Sequence, residues 1–365
     1  MIPMVNLKVQ YEEIQDEIQE RISEIFESGA FILGPNVMEL ERRVAEYHDL
    51  PHAIGLASGT DALHLALRAA NIGPGDEVIT TPFTFFATVE AIHYCGARPV
   101  FVDVEPDTLN MNPDQVESCI TSRTKAMLPV HLFGHPADMS ALTGVAERHN
   151  LIVVEDCAQA FGAAIGGRRV GAFGDAGCYS FYPSKNFSCY GDGGMVVTGR
   201  SEMNERIRRL RNHGSNRTYV HTETGYNSRL DEIQAAVLNV KLRRIDRYND
   251  MRRHVAEQYR AGLQNLPLQL PVEREGYHHV YHQFTLRSKV RDDLSAYLQQ
   301  NGISAVVYYP VPLHLQEALR DYGWGEGSFP ESERASKEVL SIPMYPELPE
   351  SDVAHICETV RNFFG

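Results

Sequence analysis

Three short stretches hold residue types that could do chemistry. In Ser180-Phe181-Tyr182-Pro183-Ser184-Lys185-Asn186 a lysine sits among aromatic and apolar neighbours. Desolvation lowers a lysine's pKa and makes its amine a nucleophile toward an aldehyde. On its own, this lysine would read as a solvated surface residue. In Leu151-Ile152-Val153-Val154-Glu155-Asp156-Cys157-Ala158-Gln159 an apolar run ends in two acids. Ligands of open α/β sheets gather at the carboxyl ends of strands. An acid there can pair with a cationic ring nitrogen and keep the ring an electron sink. The plainer alternative is an acid capping the next turn. Ser58-Gly59-Thr60-Asp61-Ala62-Leu63 opens a helical pattern. Free N–H groups and the positive dipole end of a helix attract phosphate. Gly59 admits close approach, and the Ser58 and Thr60 hydroxyls can donate. Simple capping by Ser or Thr is the competing reading.

In chain order these are a phosphate site, an acid for a ring nitrogen and an aldehyde-binding lysine. They are the three handles of pyridoxal 5'-phosphate (PLP). Their joint occurrence is far more specific than any one of them. His278, His279 and His282 have a spacing that could suggest a metal. They read better as part of a strand, and no metal is expected.

The surrounding elements must deliver these residues. Ile14, Ile18, Ile22 and Ile25 predict a helix over Lys8–Ser28, stopped by Gly29. Strand-like runs at Ala53–Ala57, Glu77–Thr80, Pro99–Val102, Lys125–Val130 and Leu151–Val154 alternate with helical ones. Those fall at Asp61–Ala70, Thr84–Tyr94, Pro113–Ile120 and Met139–Arg148. This rhythm implies βαβ units and a mainly parallel sheet flanked by helices. Cys178–Phe181 and Met195–Thr198 read as strands with no helix between them. A long helical stretch follows over Asp231–Leu263. Beyond it come a strand at Val280–Arg287, a helix at Asp292–Asn301, a strand at Ser304–Tyr308 and terminal helices. The expected division is a large domain over 1–245 and a smaller C-terminal α/β domain over 246–365. The N-terminal segment is free to pack on the smaller one.

The bulk numbers exclude some partners. With 34 Lys and Arg against 48 Asp and Glu the net charge is −14. Such a surface repels phosphate backbones, so nucleic acid is a poor partner. No apolar run approaches a bilayer span, and Met1–Gln10 lacks a signal-peptide core, so no membrane is expected and the cytoplasm is the default. Six cysteines without a C-x-x-C pair suggest small buried residues of a reduced compartment.

The motifs resemble those of the DegT-type nucleotide-sugar aminotransferases, a branch of the fold-type I PLP enzymes. The likeness runs through Phe31-Ile32-Leu33-Gly34-Pro35, Ser58 to Leu63, Gly73-Pro74-Gly75-Asp76-Glu77 and Thr84-Phe85. It continues through Pro129 to Gly134, Glu155-Asp156 with Gln159, and Ser180 to Lys185. Gly225-Tyr226-Asn227-Ser228-Arg229 and Tyr309-Pro310 complete it. By position, the resemblance implies that Lys185 binds the cofactor's aldehyde and Asp156 its ring nitrogen. Gln159 then lies near the ring hydroxyl, Phe85 stacks on the ring, and Gly59, Thr60 and Ser180 contact the phosphate. Asn227 reaches the phosphate from the neighbouring subunit, so a homodimer with shared active sites is implied. Arg229 and Tyr309 are substrate candidates, Arg229 as a clamp for an anionic group. For Phe85 the alternative is an ordinary core residue. For Arg229 it is a salt bridge to Asp231 or Glu232.

The implied reaction moves an amino group from L-glutamate to a nucleotide-linked keto-sugar, in amino-sugar or polysaccharide biosynthesis. Relatives acting on a 4-keto carbon usually resemble Glu-Gly-Gly where this chain has Gly191-Asp192-Gly193-Gly194. That loop, with Cys189-Tyr190, looks more like relatives that aminate a 3-keto carbon, UDP- or dTDP-linked. A 4-keto-sugar or keto-cyclitol is the alternative within the class. A non-catalytic PLP-fold regulator is the alternative outside it.

Overall fold

The computed structural model describes residues 1–365. Its centre is a seven-stranded sheet. The strands are β1 (His52–Leu56), β2 (Glu77–Thr80), β3 (Arg98–Phe101), β4 (Thr124–Met127) and β5 (Ile152–Asp156). A small hairpin of β6 (Ala164–Ile165) and β7 (Arg168–Arg169) interrupts the series. β8 (Ala176–Ser180) and β9 (Gly194–Thr198) complete the sheet. The order is β1-β9-β8-β5-β4-β2-β3. β9 alone runs against the rest. It pairs with β8 antiparallel, so the return through the lysine loop over residues 181–193 needs no crossover helix.

This topology explains why distant residues meet. β1, β5 and β8 run the same way, so Leu56, Asp156 and Ser180 end at one edge of the sheet. The seven strands are apolar on both faces because helices cover both. One face carries α3 (Gly59–Ala69), α4 (Ala87–Tyr94) and α7 (Ser201–Leu210). The other carries α2 (Pro35–Tyr47) and α8 (Glu232–Leu242), whose apolar sides pack with Phe181, Phe187 and Val197. α1 (Leu7–Ser28) lies along α8 and ends at Gly29, at φ 67°. α5 (Pro113–Val116) and α6 (Met139–His149) complete the helices before β5.

A second apolar core gathers α9 (Ile245–Leu263), α10 (Arg291–Gln300) and α12 (Glu350–Phe364), with α11 (Pro330–Glu338) between the last two in the chain. Between its helices lies the antiparallel pair Phe284–Arg287 and Val339–Ile342. Ile2 and Val5 pack against this core as well. No helix is long and apolar enough to cross a membrane.

Several expected elements differ. The stretch over Asp231–Leu263 breaks at Arg243–Arg244 into α8 and α9. The two halves serve different partners, α8 against α1 and α2, α9 against α12. The strand expected at Val280–Arg287 begins only at Phe284. Val280 and Gln283 spend their N–H groups on the Gly134 and Phe133 carbonyls instead. Ser304–Tyr308 is no strand, with a single bridge from Val306 to Ser341. The helix expected over Thr84–Tyr94 begins at Ala87, and that over Pro113–Ile120 becomes one α turn and a 3-10 turn. The sequence does not predict α2, α7, the β6–β7 hairpin or the strand Val339–Ile342, among others.

Candidate active site

At the shared sheet edge, the N-terminus of α3 meets the end of β8. Ser58 caps the helix by accepting from the Asp61 N–H at 3.1 Å. That leaves the Gly59 and Thr60 N–H groups at the mouth of the helix. A Cβ on Gly59 would stand 2.6 Å from the Ser180 Cβ, and one on Gly194 would stand 2.2 Å from the Ser58 carbonyl oxygen. Only glycine lets the three segments close into a backbone-lined cradle. Gly59, Thr60 and Ser180 therefore converge, and the cradle suits a phosphate.

Asp156 is the last residue of β5 and is 5 % exposed. One carboxylate oxygen accepts from the Ala158 N–H at 3.1 Å, the other from the Thr88 hydroxyl at 2.9 Å. Burial raises its carboxyl above the usual range, and these two donors with the Lys185 charge oppose the rise. Thr84 in turn pairs with Thr88 at 3.0 Å. This threonine pair was missed in the sequence. Its one signal is the i, i+4 spacing, which puts both hydroxyls on one face of the helix expected over Thr84–Tyr94, although α4 itself begins only at Ala87.

Lys185 follows a turn in which its N–H donates to the Tyr182 carbonyl at 2.9 Å. Its ammonium has neither a hydrogen-bond nor an ion-pair partner. Burial lowers its pKa to about 8, against a smaller upward pull from Asp156. An amine at about 8 is partly neutral near physiological pH, unlike an ordinary lysine.

Glu155, the other acid of the motif, does structural work. It is fully buried and accepts from the N–H groups of Gly171, Phe173 and Gly174, at 2.7 to 2.8 Å. His131 Nε2 joins it at 3.0 Å. Cys157 lies near both, but its thiol is pushed up by burial, which suits a packed sulfur better than a metal ligand.

Gln159 accepts from the Phe133 N–H at 2.6 Å, and its amide donates to the Tyr309 hydroxyl at 3.1 Å. Tyr309, read from sequence as a substrate contact, is thus joined to a cofactor candidate. Phe85 lies 6.3 Å from the Tyr309 ring and is 59 % exposed. An ordinary core phenylalanine would be covered, so the packing alternative for Phe85 fails.

Asn227 and Arg229 are not brought to this group. Asn227 is exposed and bridges Asn212. Arg229 donates to the Asn212 side chain at 3.2 Å. It bridges neither Asp231 nor Glu232. Between them Ser228 faces inward and donates to Asp61 at 2.7 Å, tying the segment to the first turn of α3. The loop after Lys185 also has packing reasons for its glycines. A Cβ on Gly191 would meet Gln234 at 2.9 Å, and one on Gly193 would meet Leu230 at 3.0 Å. Asp192 is exposed. The histidines separate: His278 pairs with Ala164 in a short strand beside β6, while His279 stacks on Tyr281. His282 faces Asn186.

Comparison with known proteins decides the family. Residues 12–361 match the DegT/DnrJ/EryC1/StrS aminotransferase family. The chain belongs to this family. It is a PLP-dependent sugar aminotransferase, and the cradle, the acid and the unpartnered lysine fit that cofactor. One relative, the pleiotropic regulatory protein of Geobacillus stearothermophilus, is 49 % identical over 100 % of this chain and 98 % of its own. Another is UDP-N-acetyl-3-dehydro-alpha-D-glucosamine 3-aminotransferase of Acidithiobacillus ferrooxidans. It is 49 % identical over 99 % of this chain and 97 % of its own. Among solved structures, DesV of Streptomyces venezuelae superposes with a TM-score of 0.97 at 46 % identity, covering 99 % and 98 % of the two chains. The PLP form of a sugar aminotransferase from Streptococcus pneumoniae gives 0.91 at 27 % identity, covering 95 % of each.

Proposed function

We propose that this aminotransferase takes an amino group from L-glutamate and places it on C3 of a nucleotide-linked 3-keto-sugar. The observation that carries the catalytic part is Lys185, a lysine held near 8 with no partner, beside a buried acid at a phosphate cradle. The A. ferrooxidans relative's own name supports the C3 part. The glycines of the Asp192 loop, having packing reasons, add little to it.

Bound PLP supplies an electron sink that acidifies the hydrogen on the donor's amino-bearing carbon. Lys185 Nζ, neutral in part, takes up that proton and returns it. Asp156 keeps positive charge on the ring nitrogen, and the Thr88 hydroxyl favours the ionised form of Asp156 against burial. Gln159, oriented by the Phe133 N–H, holds Tyr309 in place. Gly59, Thr60 and Ser180 hold phosphate, while Phe85 covers the ring. Arg229 and Asn227, turned away from this group, serve the site of a second copy in a homodimer. Donor and acceptor use one site in turn, so ping-pong kinetics are expected.

Lys185→Ala should abolish turnover and the absorbance of bound cofactor together. Retained activity in that variant overturns the proposal. A panel of UDP- and dTDP-linked 3-keto and 4-keto sugars, read by glutamate consumption, tests the substrate. Turnover of 4-keto sugars alone overturns the C3 assignment. The name of the Geobacillus relative raises a regulatory role without catalysis. Such a role leaves the unpartnered Lys185 without a use, and bleaching of the bound cofactor by L-glutamate separates the two.

A further inference from the structure

The residue after the lysine, Asn186, is buried and fully engaged. Its amide nitrogen donates to the Val280 carbonyl at 2.8 Å and to the Asn249 side-chain oxygen at 3.0 Å. Asn249 in turn donates to the Phe161 carbonyl at 3.0 Å. Backbone carbonyls only accept, so both amides are fixed in orientation. The oxygen of Asn186 must then face His282 Nδ1, 3.2 Å away. An oxygen without a proton requires a donor, so Nδ1 carries the hydrogen and neutral His282 has a bare Nε2. Nε2 makes no hydrogen bond in the protein, and it is not among the sealed atoms that lack a partner. The charged groups facing the imidazole are Lys185 and Arg252. With burial, both hold it well below its usual range, so it stays neutral.

The segment around His282 has a second attachment. Val280 donates to the Gly134 carbonyl at 3.1 Å and Gln283 to the Phe133 carbonyl at 3.3 Å. A Cβ on Gly134 would stand 2.9 Å from the His282 backbone nitrogen, so the two segments of chain touch. Phe133 is the residue whose N–H orients Gln159. Arg252 ties the other side, donating to the Tyr281 carbonyl at 3.2 Å and the Met344 carbonyl at 3.0 Å. Lys185 and Gln159 are therefore both placed by residues 280–283.

We propose that His282, held as its Nδ1–H tautomer by Asn186, is a positioning residue for Lys185. It locks the lysine loop to the segment that also places Gln159. The inference rests on Lys185 being the aldehyde-binding amine.

The tautomer is tested without cofactor. Nitrogen-15 NMR of the histidines in the protein purified free of PLP should show His282 protonated at Nδ1 and bare at Nε2. The opposite tautomer overturns the proposal. Asparagine places an N–H near the position of Nδ1, and glutamine places its amide near Nε2. His282→Asn should therefore take up PLP and react with L-glutamate within about threefold of the native protein. His282→Ala and His282→Gln should fall by roughly 10- to 100-fold, the scale of a misplaced reacting group. In His282→Ala water enters beside the lysine, so the pH midpoint of PLP uptake should rise. Asn186→Ala should match His282→Ala, and the double variant should be no worse than either. If His282→Ala does not fold, the Asn and Gln variants decide. Equal loss in both, or loss in neither, overturns the proposal. Lys185→Ala is run alongside: if it keeps activity, the reading of Lys185 falls. If it is dead while the His282 series is unaffected, only the positioning role falls.

Discussion

Lys185 has a pKa set by its surroundings, and that gives a pH dependence with a definite sign. Only the neutral amine attacks an aldehyde. Burial lowers the pKa to about 8, so the neutral fraction grows as pH rises through 8 and is small below 7. The rate at which PLP-free protein takes up PLP should therefore rise with pH and level off above about 8. A free lysine would keep rising toward ~10.4. Stopped-flow absorbance from pH 6 to 10 reads the midpoint, and a midpoint above 10 contradicts the argument. Thr88 offers a second check. Thr88→Val keeps the shape and removes a hydrogen bond to a buried carboxylate, of a kind worth about 1.5–3 kcal/mol. Asp156 should then titrate higher, and the reaction with L-glutamate should slow about tenfold, the rate equivalent of the lower of those two figures. An unchanged rate removes Thr88 from the site. Lys185, Asp156 and Gly59 were legible in the sequence because they occur together and in order, though each alone has a plain structural reading. Thr84 and Thr88 were not, since two threonines in a helical run look like any others until a carboxylate is placed beneath them.

At the scale of elements, the βαβ rhythm up to Asp156 was readable because each strand there is apolar and each helix amphipathic. α2 was hidden because its cap comes from elsewhere in the chain. Its N-terminus has Gly34 in place of a capping side chain. Glu232, fully buried in the first turn of α8, instead accepts from the Asn36 and Val37 N–H groups at 2.9 Å each. It also accepts from the Asn36 side chain at 3.0 Å. Gly34 leaves room for it, since a Cβ there would stand 2.9 Å from the Glu232 carboxyl carbon. A residue almost two hundred positions away cannot be read as a cap from local sequence. Glu232→Ala would leave these donors without their acceptor, at a cost of about 1–3 kcal/mol for an unsatisfied buried group. Urea denaturation should show that loss with cofactor binding weakened only in proportion. A loss under about 1 kcal/mol, the usual size of an ordinary substitution, would show that water replaces the carboxylate.

For the whole molecule, one chain leaves two of its site candidates apart from the rest. Asn227 is exposed, and Arg229 reaches only Asn212. Phe26, Phe31, Ile32 and Met38 are also exposed, and the Phe26 and Phe31 rings sit 5.7 Å apart. Apolar side chains left together in water favour burial against a partner. A two-fold pairing would present each chain's Asn227 and Arg229 to the other's Lys185. Two inactive variants then make a sharp test. In a Lys185→Ala homodimer no site has its lysine, and in an Arg229→Ala homodimer no site has its clamp. Mixed dimers gather both defects in one site and leave the other intact. After unfolding and refolding an equal mixture, about a quarter of all sites should be whole under random two-fold assembly. Activity should return to about that fraction of native. If sedimentation shows mixed dimers and activity stays at the level of the separate variants, Arg229 serves its own chain and the shared-site reading falls.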